Sequence, residues 1–221
     1  MPDKQTKQFV IIGMGRFGKS LAETVYSAGH NVLAVDKEEE EIQKLESERI
    51  VTFSAICDAK DKDALAKLGI NEDFDVGVVC IGEDTLSSIL SVLILKELGV
   101  KKVIAKAIDR LQVQVLKKIG VDEIVFPEVD TGKRLGFNLI NSHILEELEV
   151  SSDYSVVELE PPANMIGKRL KDLQLRDKFS ANILCIKRGS EINPNPRADT
   201  ELSEKDILVM FMPKSEADDF K

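Results

Sequence analysis

The segment Gly13-Met14-Gly15-Arg16-Phe17-Gly18 constrains the fold more than any other stretch of the chain. It follows the apolar run Phe9-Val10-Ile11-Ile12 and opens an amphipathic segment, so the glycines stand where a strand turns into a helix. In that setting each glycine has its own task. Gly13 permits the tight turn, Gly15 lets the backbone approach a phosphate, and Gly18 lets the helix pack close to the strand. The N–H groups of the first helical turn then point at an anion. Asp36 closes the second apolar run, 18 residues after Gly18. A carboxylate there accepts hydrogen bonds from ribose hydroxyls and disfavours a 2′-phosphate, which argues against NADP.

The first two-thirds of the chain repeats this grammar. Further apolar runs occupy residues 32–35, 50–55, 76–81, 103–108 and 124–126. They are continuous rather than alternating, as parallel strands covered on both faces should be. Between them Leu86, Ile89, Leu90, Leu93, Ile94 and Leu98 mark a wide helical face. Shorter helices end at Leu65-Leu68-Gly69 and at Val113-Leu116-Ile119-Gly120, each stopped by glycine. The alternation predicts an α/β fold with a Rossmann-type, doubly wound parallel sheet over residues 8–128, after a tail of residues 1–7. Past Pro127 an amphipathic helix is expected over 129–148, with Leu135, Phe137, Ile140, Ile144 and Leu148 on its apolar side. With Ser151-Ser152-Asp153 as linker, it makes a hinge of residues 129–152. Residues 153–221 then read as a small β-rich α+β domain. Its strands are expected at 155–160, 183–186 and 207–212, and its turns at Gly189 and Asn193-Pro194-Asn195-Pro196. A domain of about 70 residues is small for a lone core, so it is expected to lean on a second copy.

Composition narrows the function. The chain has 221 residues, 43% of them hydrophobic, no Trp, and a net charge of 30 − 39 = −9. An acidic surface with few aromatic residues suits neither nucleic acid nor anionic lipid. Cys57, Cys80 and Cys185 are far apart, show no metal-ligand spacing, and fit a reducing compartment, with Cys80 as a small core residue. The opening MPDKQTKQ lacks the apolar core of a signal peptide, and no apolar run nears the roughly 20 residues of a membrane span. The expected location is cytoplasmic, with any membrane role acting through a partner.

In an open α/β sheet the ligand lies beyond the carboxyl ends of the strands. Arg16 and Lys19 both fall in the first turn of the first helix, where the macrodipole disfavours cations. Arg16 is read as reaching a phosphate, a terminal one included, and Lys19 as extending into solvent. Asp58 follows the third strand and is placed to accept from an adenine amino group. Glu83 and Asp84 follow the fourth and read as solvated loop acids. Lys106 interrupts the apolar fifth strand, where an unpaired ammonium would be costly. Glu128 follows the sixth strand; a solvated loop acid and a ligand for Mg²⁺ or Ca²⁺ beside a polyphosphate are equally open readings. The full candidate binding set is Gly13, Met14, Gly15, Arg16, Phe17, Gly18, Asp36, Lys37, Asp58, Ala59, Ile81, Gly82, Lys106 and Glu128, with Glu128 also the candidate metal ligand.

Lys7-Gln8-Phe9 leading into Ile12-Gly13-Met14-Gly15-Arg16-Phe17-Gly18 resembles the RCK (KTN) regulators of bacterial potassium uptake. So do Val35-Asp36, Cys57-Asp58-Ala59, Lys67-Leu68-Gly69-Ile70, Ile119-Gly120-Val121-Asp122 and Phe126-Pro127-Glu128. The resemblance covers nearly the whole chain, including a C-terminal RCK_C (TrkA_C) domain. It implies a homodimer assembled into an octameric ring beneath a KtrB- or TrkH-type potassium-transporting membrane subunit. It implies ATP and ADP as competing ligands, with ATP favouring the active ring and NAD as a further candidate. Arg16 would meet the γ-phosphate, across the dimer in one arrangement, and Asp36 would hold the ribose. Asp58 would contact adenine, although Cys57 stands where the family usually has glycine. Glu128 would bind a Mg²⁺ or Ca²⁺ ion between two nucleotide sites. Related C-terminal domains bind cyclic di-AMP. Arg176 lies near the matching position, with Ile166 and Pro194 as apolar walls, and a plain dimerisation domain is the competing reading.

Two other functions share the glycine loop. An NAD-dependent oxidoreductase needs acid–base groups, and the chain has only His30, ahead of the second strand, and His143, on the late helix. A redox-sensing transcription factor needs a basic reading helix, which an acidic chain does not offer. A non-enzymatic nucleotide sensor is the reading the residues favour.

Overall fold

The computed structural model describes residues 6–140 and 144–217. The side chain of Phe137 and the whole of His143 lie outside the described residues. The chain divides into two compact units, Met1–Glu128 and Val129–Lys221.

Unit 1 is the expected α/β fold. Its strands are β1 (Gln8–Ile12), β2 (Asn31–Asp36), β3 (Phe53–Ile56), β4 (Val76–Val79), β5 (Lys102–Lys106) and β6 (Glu123–Val125). They alternate with α1 (Arg16–Ser27), α2 (Glu39–Glu48), α3 (Lys62–Lys67), α4 (Thr85–Glu97) and α5 (Arg110–Lys118). The sheet order is β3-β2-β1-β4-β5-β6, and every pairing is parallel. β1 lies between β2 and β4, so the winding direction reverses there and a crevice opens beyond the ends of β1 and β4. Successive residues of β1 go to opposite faces. Val10 and Ile12 join one core with Val35, Val79 and Val103, while Ile11 joins the other with Val32, Ala34 and Val78. Both faces are buried, which is why these strands read as unbroken apolar runs. β3 starts three residues later than the apolar run suggested, at Phe53.

α4 turns differently from its leucine pattern. Its fully enclosed side carries Ser88, Ser91, Val92 and Leu95, whereas Leu86 is exposed. The serines fit because their hydroxyls are satisfied locally. Ser91 Oγ donates to the Ser87 carbonyl at 2.6 Å, and Ser88 Oγ accepts from Gln112 Nε2 on α5 at 3.1 Å.

The expected helix over 129–148 is shorter. α6 runs from Pro127 to Ile140, and β7 occupies Ile144–Glu149. Ile144 and Leu148 therefore belong to an edge strand, with Ile144 paired to Leu159 and Leu148 to Val156. Apolar residues spaced by three and four occur in both a helix and a short strand alternating with acids, and antiparallel pairing decides between them. Ser151-Ser152-Asp153 is accordingly a turn between β7 and β8 rather than a linker. Ser151 Oγ accepts the amides of Asp153 and Tyr154 there.

Unit 2 holds a five-stranded sheet in the order β10-β9-β11-β8-β7. β8 is Tyr154–Leu159, β9 Asn182–Arg188, β10 Glu191–Asn193 and β11 Asp206–Pro213; all pairings are antiparallel. A 3-10 turn (Ala163–Met165) and the short helices α7 (Leu170–Leu173), α8 (Leu175–Phe179) and α9 (Lys214–Ala217) complete it. Val157, Leu159, Ile186, Leu208, Met210 and Met212 form its core. Asp206 is buried at the start of β11. Arg188 grips it with Nε and Nη2, at 2.6 and 2.9 Å, and the Ser203 amide adds a third bond at 2.8 Å. Burial alone would raise the Asp206 pKa, but Arg188 and the Ser203 amide outweigh it and hold the carboxyl below its ordinary value. On the rim, Tyr154 stacks on Phe211 with ring centroids 5.3 Å apart.

Candidate nucleotide site

The crevice at the reversal of the sheet has a volume of about 410 Å³ and is walled by the ends of β1, β2, β3 and β4. Its floor is the glycine loop. Gly13 has φ of +94°, and a Cβ there would stand 3.0 Å from the Ile81 amide nitrogen. A Cβ on Gly18 would fall 1.9 Å from the Gly13 carbonyl oxygen, so helix and strand touch through the missing side chain. A Cβ on Gly15 would meet nothing within 4 Å. Gly15 is the N-cap of α1, has no side chain to accept the first-turn amides, and is followed by no acid in that turn. Gly13 thus serves the turn and Gly18 the close packing, while Gly15 leaves open space at the helix start.

Asp36 is fixed at the end of β2. One carboxylate oxygen accepts the Met14 amide, and the other accepts the Glu38 amide at 2.9 Å. Each oxygen keeps a lone pair for a ribose hydroxyl. Met14 has its side chain in the core, and its amide is directed to Asp36. Lys37, Asp58, Ala59, Ile81 and Gly82 all line the crevice. Asp58 is exposed and accepts the Lys60 amide at 3.0 Å in a local turn, while its other oxygen lies 3.7 Å from the Lys60 ammonium. Arg16 is exposed at the first position of α1. Lys19 does not run free into solvent; its ammonium pairs with Glu48 of α2 at 2.6 Å.

Lys106 and Glu128, singled out separately by the sequence, are partners. Lys106 Nζ lies 2.6 Å from Glu128 Oε1 and 5.9 Å from the centre of the Phe17 ring. The Lys106 ammonium, with the local helix-start amide, holds the Glu128 carboxyl below its ordinary pKa. Among the described residues no three His, Cys, Asp or Glu side chains converge as a metal site. A cation at Glu128 would need phosphate oxygens to complete its shell.

Asp84, read as a solvated acid, instead caps α4: it accepts the Ser87 amide at 3.0 Å and the Ser87 hydroxyl at 2.5 Å. Those bonds, the hydroxyl first, lower its pKa. Glu83 lines the crevice beside it. Glu38 and Glu41 also face the crevice, and no sequence argument singled them out. Their signal is the acidic run that opens α2 right after Asp36. Cys80 lies at the crevice edge, and burial pushes its thiol up to about 12. His30 accepts the Lys7 amide at 3.2 Å ahead of β2, at the end of the sheet opposite the crevice.

Unit 2 has a second, wider crevice of about 530 Å³ bounded by α7, α8 and the start of β9. Arg176 is on it, but Ile166 and Pro194 are not; Ile183 and Pro196 supply the apolar walls. Gln174, between α7 and α8, lines it in the left-handed conformation with φ of +53°.

Residues 9–127 match the TrkA-N domain and residues 154–221 the TrkA-C domain. The chain is 38% identical to Ktr system potassium uptake protein C of Bacillus subtilis (strain 168), over 93% of this chain and 91% of that protein. It is 35% identical to Ktr system potassium uptake protein A of Vibrio alginolyticus, over 94% and 93%. Among solved structures, the crystal structure of the GsuK RCK domain superposes with a TM-score of 0.67 at 18% identity, covering 98% of this chain and 47% of that one. The GsuK channel bound to NAD gives 0.65 at 18% identity over 98% and 39%. These last two likenesses are of fold.

Proposed function

The chain belongs to the family that joins a TrkA-N domain to a TrkA-C domain, and we propose that it is a cytosolic, nucleotide-sensing regulatory subunit of a potassium transporter. Its role is regulatory rather than enzymatic, in keeping with relatives named for potassium uptake. No helix among the described residues is long and apolar enough to cross a membrane. Ion passage then falls to a separate membrane subunit of KtrB or TrkH type, met by homodimers assembled into an octameric ring.

The observation that carries the ligand reading is the glycine loop with its anchored acid. An uncapped helix start opens on a crevice, and Asp36 is held at its rim by two backbone amides. ATP and ADP are the ligands this favours. Phosphates lie over Gly15, the ribose bonds Asp36, and the adenine reaches Asp58 and Ala59. Arg16 meets the terminal phosphate, in one arrangement from across the dimer. Glu128 would hold a Mg²⁺ or Ca²⁺ ion there, which would offset phosphate charge. For unit 2 a plain dimerisation domain and a cyclic di-AMP site at the crevice around Arg176 are both open readings. Gating requires that ATP and ADP stabilise different arrangements of the dimer, and a difference of about 1–3 kcal/mol suffices for useful coupling. NAD is the second reading, supported by the same loop and acid and by the fold shared with NAD-bound GsuK.

Isothermal titration of the purified chain with ATP, ADP, NAD and NADH, with and without Mg²⁺, tests this. Saturable heat with ATP and ADP at one site per chain is expected. Silence with all four ligands would refute the proposal, and hydride turnover would favour an oxidoreductase.

A further inference from the structure

Lys106 is unlike the other paired lysines of unit 1. Its side chain is only 13% exposed, whereas that of its partner Glu128 is 63% exposed. The ammonium also sits where the crevice wall and the glycine loop meet. A Cβ on Gly82 would stand 3.7 Å from Nζ, and the Phe17 ring faces it from the loop. One member of the pair is therefore enclosed beside the phosphate position, and the other stands at its outer side in contact with water.

The two members have unequal freedom. An enclosed ammonium cannot be left without a counter-charge, because its lost hydration is not replaced. Glu128 can leave at little cost, since water receives it. It is also the second residue of α6, where the helix dipole favours a carboxylate with or without Lys106. So Glu128 departs only when another anion takes its place, and that anion must enter beside Gly82 and Phe17.

We infer that a phosphoryl oxygen of the bound ligand replaces Glu128 on Lys106, so that anion entry releases the first turn of α6. The inference deepens the nucleotide reading of this crevice and rests on it. Lys106 is then a positioning residue that converts phosphate occupancy into freedom of α6, the helix by which the chain leaves unit 1.

The test is titration calorimetry of the full chain in EDTA, with ATP, inorganic triphosphate and adenosine as probes. Glu128→Gln removes the competing anion. It should tighten ATP and triphosphate by roughly tenfold, the factor set by one charge-assisted hydrogen bond, and leave adenosine unchanged. Lys106→Met should weaken both phosphorylated probes relative to adenosine, and the double variant should show no gain from Glu128→Gln. Unchanged or weaker triphosphate binding in Glu128→Gln would overturn the exchange, as would wild-type protein that binds neither phosphorylated probe. Triphosphate binding that tightens in Glu128→Gln without any binding of ATP or adenosine would retain the exchange and remove the adenine reading.

Discussion

Gly15 and Gly18 look alike in the sequence, yet they are held to glycine by different forces. Gly18→Ala drives a methyl into the Gly13 carbonyl, where neither backbone can yield. It should cost about 4 kcal/mol or more, or abolish folding of unit 1, as read by urea melts. Gly15→Ala meets open space at an ordinary extended backbone and should cost about 1 kcal/mol or less. Its methyl, however, projects where phosphate is expected, so ATP affinity should fall at least about tenfold. Arg16→Ala should keep the fold and lose the preference for ATP over ADP; equal discrimination would remove Arg16 from the mechanism. The turn at Gly13 and the close packing at Gly18 were legible because motif, spacing and strand context agree. The pairing of Lys106 with Glu128 was not. It depends on β5 lying beside β6, with Lys106 opposite Val125, and no local pattern encodes that neighbour.

At the level of elements, the parallel strands were legible because burial on both faces leaves unbroken apolar runs. β7 was hidden, since Ile144-Leu145-Glu146-Glu147-Leu148-Glu149 continues the helical spacing of α6 and only the ladder to β8 makes it a strand. The buried face of α4 was hidden for a related reason: Ser91 bonds its own helix and Ser88 bonds Gln112 of α5, which polarity alone does not reveal. The β9–β11 pair carries a testable electrostatic lock. The Asp206 pKa is lowered in the folded state, so the lock's contribution is present above the unfolded carboxyl pKa of about 4 and is lost as pH falls through the folded value. In Arg188→Ala only the Ser203 amide still offsets burial. That variant should melt lower than wild type at pH 7, and the gap should narrow as pH falls below about 4. A gap that stays constant in thermal melts across this range would mean the pair contributes no pH dependence.

For the molecule as a whole, the separate cores of the two units predict that a ligand of unit 1 stabilises only that unit directly. Nucleotide at a hundredfold excess over its dissociation constant should add about 2.7 kcal/mol to the unfolding of unit 1. In calorimetry one transition should move and the other stay, and a rigid shift of both would show that the units unfold together. The chain lends itself to such a measurement. It has no Trp and two Tyr, Tyr26 on α1 and Tyr154 on β8, so each half carries its own single natural emitter. Tyr154 lies flat against Phe211 on the neighbouring strand, a local environment that disappears when the β8–β11 ladder parts. Replacing Tyr26 with Phe would leave a chain whose ultraviolet emission reports on the C-terminal sheet alone, without any added dye.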